Sequence, residues 1–268
     1  MIAKIFKYTR RLIPYSIKKH IATFRYRIFN IFSVVIIETS SACNRRCSYC
    51  PNSKYDRGLI KNNKKLKTEL YHKIINELAE LKWFGQIQFN FYNEPLMDER
   101  LPELIKYARF KLPASSLAVY TNGDLLTVDL YKILVGSGMT DLIITEHEQK
   151  ASDNIDKFLE LSKSDDHVKV VHKRLKRFNS RGGLIKLLTE EYKPECLWPI
   201  HDFIVNHEGE AVLCCNDYFN SVKLGNVEHE KIMDIWNNPR YKQIRKDLSK
   251  RVFRYEICKK CVVGEFAG

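Results

Sequence analysis

The stretch SVVIIETSSACNRRCSYCPN, residues 33–52, joins a short apolar run to three cysteines at uneven spacing. The run VVII is β-branched and short, the signature of a buried strand. Cys43, Cys47 and Cys50 come after it, separated by three and then two residues. A structural zinc site is usually closed by four ligands, and a disulfide takes two. Three thiols leave one coordination position open, and an open position is where chemistry happens.

Beyond the loop the sequence alternates between two periods. Apolar residues at helical spacing fill 66–84, and QIQFNFYNEP at 86–95 alternates like a strand that ends at Pro95. Helices are then expected over 98–112, 126–138 and 154–163, and strands over 116–123, 141–148 and 167–173. Repeated strand–helix units imply parallel βαβ crossovers, and in such folds functional residues gather at the C-terminal ends of the strands. Beyond about residue 190 the pattern changes. Residues 202–217 read as a hairpin turning at Glu208-Gly209, and 229–250 as one or two helices interrupted near Pro239. The expected organisation is an arm over 1–33, an α/β domain over 34–190 and a small module over 191–268.

The chain has 268 residues and 44% hydrophobic content, enough for a sizeable core. No charge-free apolar run reaches about 18 residues, so no spanning helix is expected. Lys4, Lys7, Arg10 and Arg11 interrupt any signal-peptide core. Eight cysteines without a secretion signal point to metal or redox work in a reducing compartment, the cytoplasm. They cluster early, at 43–50, and late, at Cys196, Cys214, Cys215, Cys258 and Cys261.

The net charge is +13, and eight of the basic residues lie within 1–33, where there is no acid. Aromatic and aliphatic residues interleave with them. Two readings stand for this arm: peripheral contact with the anionic inner face of a membrane, or a helical strap with a solvated basic face. Nucleic acid is not an expected partner, because no binding motif is present and the basic charge is not spread over the main domain.

A C-x3-C-x2-C loop after the first strand of a β/α domain resembles the radical S-adenosylmethionine (SAM) superfamily. The resemblance implies a partial (β/α)6 TIM-like barrel. It also implies a four-iron, four-sulfur cluster held by Cys43, Cys47 and Cys50, with SAM on the fourth iron. Reductive cleavage of SAM would give a 5′-deoxyadenosyl radical that abstracts a substrate hydrogen. By the same resemblance Tyr49 lies against adenine, the YNEP segment places Asn93 and Glu94 at the SAM amino group, and Thr121 and Asn122 reach the ribose. Tyr-Asn stands where the family usually has Gly-Gly.

The late segment, with CLWP, GEAVLCCND, IWNNPRY and a terminal C-x2-C, resembles the SPASM/twitch extensions of that superfamily. This implies an auxiliary four-iron cluster on Cys196, Cys214, Cys258 and Cys261, hence two clusters per chain. The spacing is similar to that of twitch enzymes acting on aminocyclitols. Cys215 is left with three readings: the true ligand in place of Cys214, inert core, or a thiol hydrogen donor. Arg181, Glu146 and His147, with Arg177, Glu148 and His172 near them, fall at the expected mouth as candidates to bind substrate or take its proton.

The function expected is dehydrogenation of a sugar- or aminocyclitol-type small molecule, with a base taking the hydroxyl proton and the auxiliary cluster the second electron. A reductant such as flavodoxin or ferredoxin is implied. The alternatives are a radical epimerase using Cys215, a maturase of ribosomal peptides, and a zinc-binding module without catalysis.

Overall fold

The structure, a computed structural model, describes residues 15–147, 158, 168–192 and 196–266. Five strands, β1 (Val34–Ile37), β2 (Gln86–Gln88), β3 (Ser116–Thr121), β4 (Asp141–Glu146) and β5 (Lys169–Arg174), pair in parallel in sequence order. Helices α2 (Thr68–Glu80), α3 (Leu101–Lys111) and α4 (Val128–Gly136) form three of the crossovers. Of the helix expected over 154–163, only Phe158 is described. It is buried against Tyr131, with ring centroids 5.0 Å apart.

Each element is dictated by its sequence. Leu70, Ile74, Ile75 and Leu78 put one apolar stripe of α2 into the core. Thr127 caps α4 by accepting a hydrogen bond from the Leu130 amide. Strand alternation divides the side chains of the sheet. Val35, Ile37, Ile87, Leu117, Val119, Leu142 and Ile144 join the helices in the main core, whereas Ile36 lies on the concave face with Ile204 and Val212. The second strand is shorter than expected, because beyond Phe89 the chain leaves the ladder and folds back through a turn in which the Phe91 amide donates to Asn93 Oδ1.

A sixth parallel strand comes from the C-terminal part. The expected hairpin is present as β8 (Asp202–Val205) and β9 (Ala211–Val212), with Gly209 in its turn at φ +79°. Strand β8 pairs in parallel with β1, so the sheet runs β5-β4-β3-β2-β1-β8-β9. The α/β partial-barrel architecture is therefore closed on one side by a strand some 165 residues distant from its partner in sequence.

Beside the barrel, β6 (Phe178–Asn179), β7 (Glu191–Tyr192) and β10 (Val262–Gly264) form a small antiparallel sheet. Helix α5 (Trp198–His201) precedes β8. The helical stretch expected near the end is two helices, α6 (Ile232–Asn237) and α7 (Pro239–Ser249), where Asn238 caps the second. A last turn, α8 (Glu256–Lys259), leads to β10.

Residues 15–29 of the basic arm form helix α1 (Tyr15–Phe29), and residues 1–14 lie outside the described residues. Helix α1 sits at the end of the sheet where the strands begin: Thr23 bonds His201 at 2.9 Å and Tyr26 packs edge-on against Trp236. No described helix is long and apolar enough to cross a membrane.

At that same end Asp202 is buried, and burial alone raises its pKa to about 8. The folded state thus holds a proton that the unfolded chain releases near pH ~4, and stability falls as pH rises between these two values. Asp202→Asn is expected to raise the melting temperature at pH 8 and to lose that advantage near pH 5. An equal shift at both pH values would remove this explanation.

Candidate active site

The strand ends converge on one mouth. The cysteine loop leaves β1 and is pinned by backbone bonds from the Cys43 amide to the Gly58 carbonyl (3.1 Å) and from Cys50 to Cys47 (2.9 Å). Polar side chains tie it to the end of β3. Arg45 forms an ion pair with Asp124, Asn44 donates to Asp124 at 2.9 Å, and Asn122 donates to Asn44 at 2.8 Å. Burial pushes the Cys43 thiol up to about 12 and raises that of Cys50, so the protein alone does not favour thiolates there. A bound cation reverses that preference.

Glu94 lies beside Cys43 and is only 2% exposed. Thr121 Oγ1 donates to its carboxylate at 2.7 Å, and the amides of Asn122 and Leu96 at 2.8 and 3.1 Å. Burial outweighs these bonds and raises its pKa to about 7. No ion pair to Glu94 occurs among the described residues, so this carboxylate suits a cationic ligand group. Next to it the Asn93 side-chain amide nitrogen is buried without a partner. Hydrogen bonds thus bring Glu94, Thr121 and Asn122 together, with Asn93 next to Glu94 in the chain.

Tyr49 is buried in an aromatic cluster, 4.5 Å from the Phe178 ring and 5.9 Å from Phe266, and its hydroxyl contacts His147 Nδ1. His147 therefore belongs to the Tyr49 side of the mouth. Glu146 is elsewhere. It shares the strand face of Leu142 and Ile144, toward the helices, and lies 3.7 Å from His172. Alternation carries it away from the concave side, although it ends its strand at the expected level.

The late cysteines divide in the same way. Cys196, Cys214, Cys258 and Cys261 line one pocket together with Leu213 and Phe253. Cys215 points to the concave face, against Ile36, Ile204 and Phe91. Burial pushes Cys258 to about 12 and Cys214 well above the usual thiol range, the neighbouring cysteines adding to both. Among the described residues no three Cys, His, Asp or Glu side chains converge on a point that would hold a single metal ion.

Between the loop and this pocket sits Arg181. The turn Arg181-Gly182-Gly183 takes positive φ throughout, 51°, 66° and 90°. Ser180 anchors it just before β10, donating through Oγ to the Lys260 carbonyl at 2.9 Å. A Cβ on Gly182 would lie 2.5 Å from Ile257, so only glycine permits this approach. The Arg181 guanidinium donates to the carbonyl of Cys215 (3.3 Å) and to Asn216 (3.4 Å), and lies 5.6 Å from the Tyr92 ring. Its Nε is buried without a partner. Burial disfavours its charge, but Tyr92, Cys215 and Cys50 around it more than restore it. Tyr92 in turn donates to the Cys215 carbonyl at 2.9 Å.

Four further residues escape the sequence motifs. Asn90 Oδ1 is buried and unpartnered next to the mouth. Phe178 and Phe266 pack on Tyr49. Glu38, directly after β1, is fully buried against Arg57 and His207. Only Glu38 leaves a signal, an acid ending an otherwise apolar strand.

An α/β half-barrel with a three-cysteine loop at the end of its first strand, a buried carboxylate beside that loop and a separate four-cysteine pocket defines the class. The radical SAM superfamily matches residues 37–192, and the SPASM iron–sulfur cluster-binding domain matches residues 196–262. The chain belongs to the radical SAM superfamily. Its cofactors are SAM and four-iron clusters. The Glu94 carboxylate without a cation, the unpartnered Asn93 amide and the shared cysteine pocket fit them.

It is 30% identical over 245 residues to the S-adenosyl-L-methionine-dependent 2-deoxy-scyllo-inosamine dehydrogenase of Niallia circulans, covering 86% of this chain and 93% of that protein. The structure of BtrN in complex with AdoMet and 2-DOIA superposes with a TM-score of 0.77 at 29% identity, over 86% of this chain and 93% of that one. PqqA peptide cyclase of Bradyrhizobium diazoefficiens is 31% identical over 122 residues, 44% of this chain and 29% of the cyclase.

Proposed function

We propose that the protein is a radical SAM dehydrogenase that oxidises a secondary alcohol of a small aminocyclitol- or sugar-type molecule in the cytoplasm. A one-electron carrier such as flavodoxin or ferredoxin serves as its reductant. The observation that carries this reading is the position of Arg181, Tyr92 and Cys215, directly between the cysteine loop and the four-cysteine pocket. Similarity to the Niallia dehydrogenase over nearly its whole length supports it. When bound, the cofactors supply a carbon-centred radical that removes a substrate hydrogen atom and an acceptor for the second electron.

In this reading Cys43, Cys47 and Cys50 hold the SAM-binding cluster, and Cys196, Cys214, Cys258 and Cys261 the auxiliary one. Glu94 and Asn93 bind the SAM amino group, Thr121 and Asn122 stand at the ribose, and Tyr49 borders the adenine. Arg181 stays charged, so it orients the reacting hydroxyl and stabilises negative charge on it; a guanidinium does not take the proton, which in this reading passes to His147 on the Tyr49 side of the mouth. Its free Nε–H, and the free acceptor of Asn90, supply a donor and an acceptor for a polyhydroxylated ring.

The test is anaerobic turnover with a panel of aminocyclitols and sugars. A ketone formed together with 5′-deoxyadenosine is the expected outcome; SAM cleavage without any oxidised product would defeat the proposal. Arg181→Lys is expected to lower kcat/KM by about 10- to 100-fold while SAM binding persists, because a point charge cannot reproduce the fork. Epimerisation is the second reading, favoured by the Cys215 thiol on the concave face. It would be revealed by solvent deuterium at a substrate carbon, lost in Cys215→Ala.

A further inference from the structure

Helix α1 is amphipathic in the wrong sense for a strap. Its inward face carries Thr23, Tyr26 and, just past its end, Asn30, which bond or pack against His201, Trp236 and Asn237. Its outward face carries Ile17, Ile21, Phe24 and Ile28, spaced four, three and four residues apart, one continuous helical stripe. Phe24 and Ile28 are each 59% exposed, and Phe29 is 67% exposed. The patch extends to Phe84, itself 53% exposed, over which the Arg25 guanidinium lies 4.5 Å from the ring centroid. A contiguous apolar stripe of this kind on a surface helix marks an interaction site.

We infer that this face of α1 docks on an anionic lipid bilayer. Charge chooses among the occupants. Residues 1–33 carry Lys4, Lys7, Arg10, Arg11, Lys18, Lys19, Arg25 and Arg27 and no acid. Eight like charges oppose stacking of two copies of the arm, and they match a surface of acidic headgroups. Apolar side chains on one face with basic residues around them is the composition of a helix that lies in the interfacial plane. Both family matches begin beyond this segment, at residues 37 and 196. Its position serves docking as well: α1 packs where β8 and β1 begin, at the opposite end of the strands from the mouth. The bilayer then lies under the barrel and leaves the substrate entrance free.

The experiment is flotation of the full-length protein with vesicles of phosphatidylcholine alone, or of phosphatidylcholine mixed with phosphatidylglycerol. The protein is expected to float with the anionic vesicles only, and less well as KCl is raised. Ile21→Ser/Phe24→Ser/Ile28→Ser alters only exposed side chains and is expected to lower the partition coefficient at least about tenfold, with SAM cleavage unchanged. Arg27→Gln is expected to lower it by up to about fivefold, one charge at an anionic surface contributing about 1 kcal/mol. Absence of flotation with anionic vesicles, or equal flotation of the triple variant, would overturn the inference. So would a lipid-free dimer that the triple variant converts to monomer, since the stripe would then be covered by a second copy.

Discussion

Cys214→Ala is expected to halve the iron of the anaerobically reconstituted protein, from about eight to about four atoms per chain, while Cys215→Ala leaves it unchanged. The two residues are adjacent, yet they serve opposite faces of one strand end. Cys214 joins Cys196, Cys258 and Cys261 around a single pocket. Cys215 packs with Ile36 and Ile204 on the concave face and offers its backbone carbonyl to Tyr92 and Arg181. Three thiols left in a pocket built for four would hold a cluster weakly or lose it. Iron and sulfide counting on both variants decides the matter. Iron loss in Cys215→Ala with retention in Cys214→Ala would exchange the two roles. Zinc without iron in the unaltered protein would sink both cluster assignments.

Arg57→Met is expected to lower stability by about 3–5 kcal/mol, because it leaves the Glu38 carboxylate buried without its cation. Burial pushes the Glu38 pKa up, but Arg57 and His207 together outweigh it and hold it below the usual carboxylate range. His207 approaches through both its amide (3.1 Å) and Nδ1 (2.8 Å), and the Tyr92 amide donates at 3.3 Å. The guanidinium of Arg57 also lies 5.1–5.6 Å from the rings of Phe91, Tyr92 and Tyr218. The lowered pKa sets the sign of the pH dependence. The contribution is present above the unfolded value near pH ~4 and is lost as pH falls through the lower folded value. A fall in melting temperature of roughly 10 °C is expected for a chain of this size. Adding Glu38→Gln to Arg57→Met should recover much of it, since the orphan charge is then removed. If the double variant melts no higher than the single one, the orphan charge is not the cause.

The parallel strands are legible in the sequence because most are short apolar runs rich in β-branched residues, and β2 alternates, each closed by a glycine, proline or polar residue. The helices are legible from their apolar spacing. The pairing of β8 with β1 is not, since nothing within DFIV names a partner at residue 34. Alternation announces that Cys214 and Cys215 face opposite ways, but not which face meets the other three cysteines. Glu146 shows the converse limit. Its level along the strand can be read, but its face depends on Leu142 and Ile144 being the helix-covered pair. The Arg181 position requires the contact between Gly182 and Ile257, two residues some 75 apart, which no local pattern encodes.

The shared ladder between β1 and β8 has a kinetic meaning. Electron tunnelling falls off steeply with distance, so a donor and acceptor on hinged domains exchange electrons at a rate set by their rarest close approach. Here the cysteine loop grows from β1 and Cys214 comes after β9, two strands away in one hydrogen-bonded sheet. The gap between the cysteine loop and Cys214 is thus set by backbone pairing within one sheet. In the proposed reaction, the second electron would pass from the substrate toward the Cys214 side across a gap that this shared sheet sets.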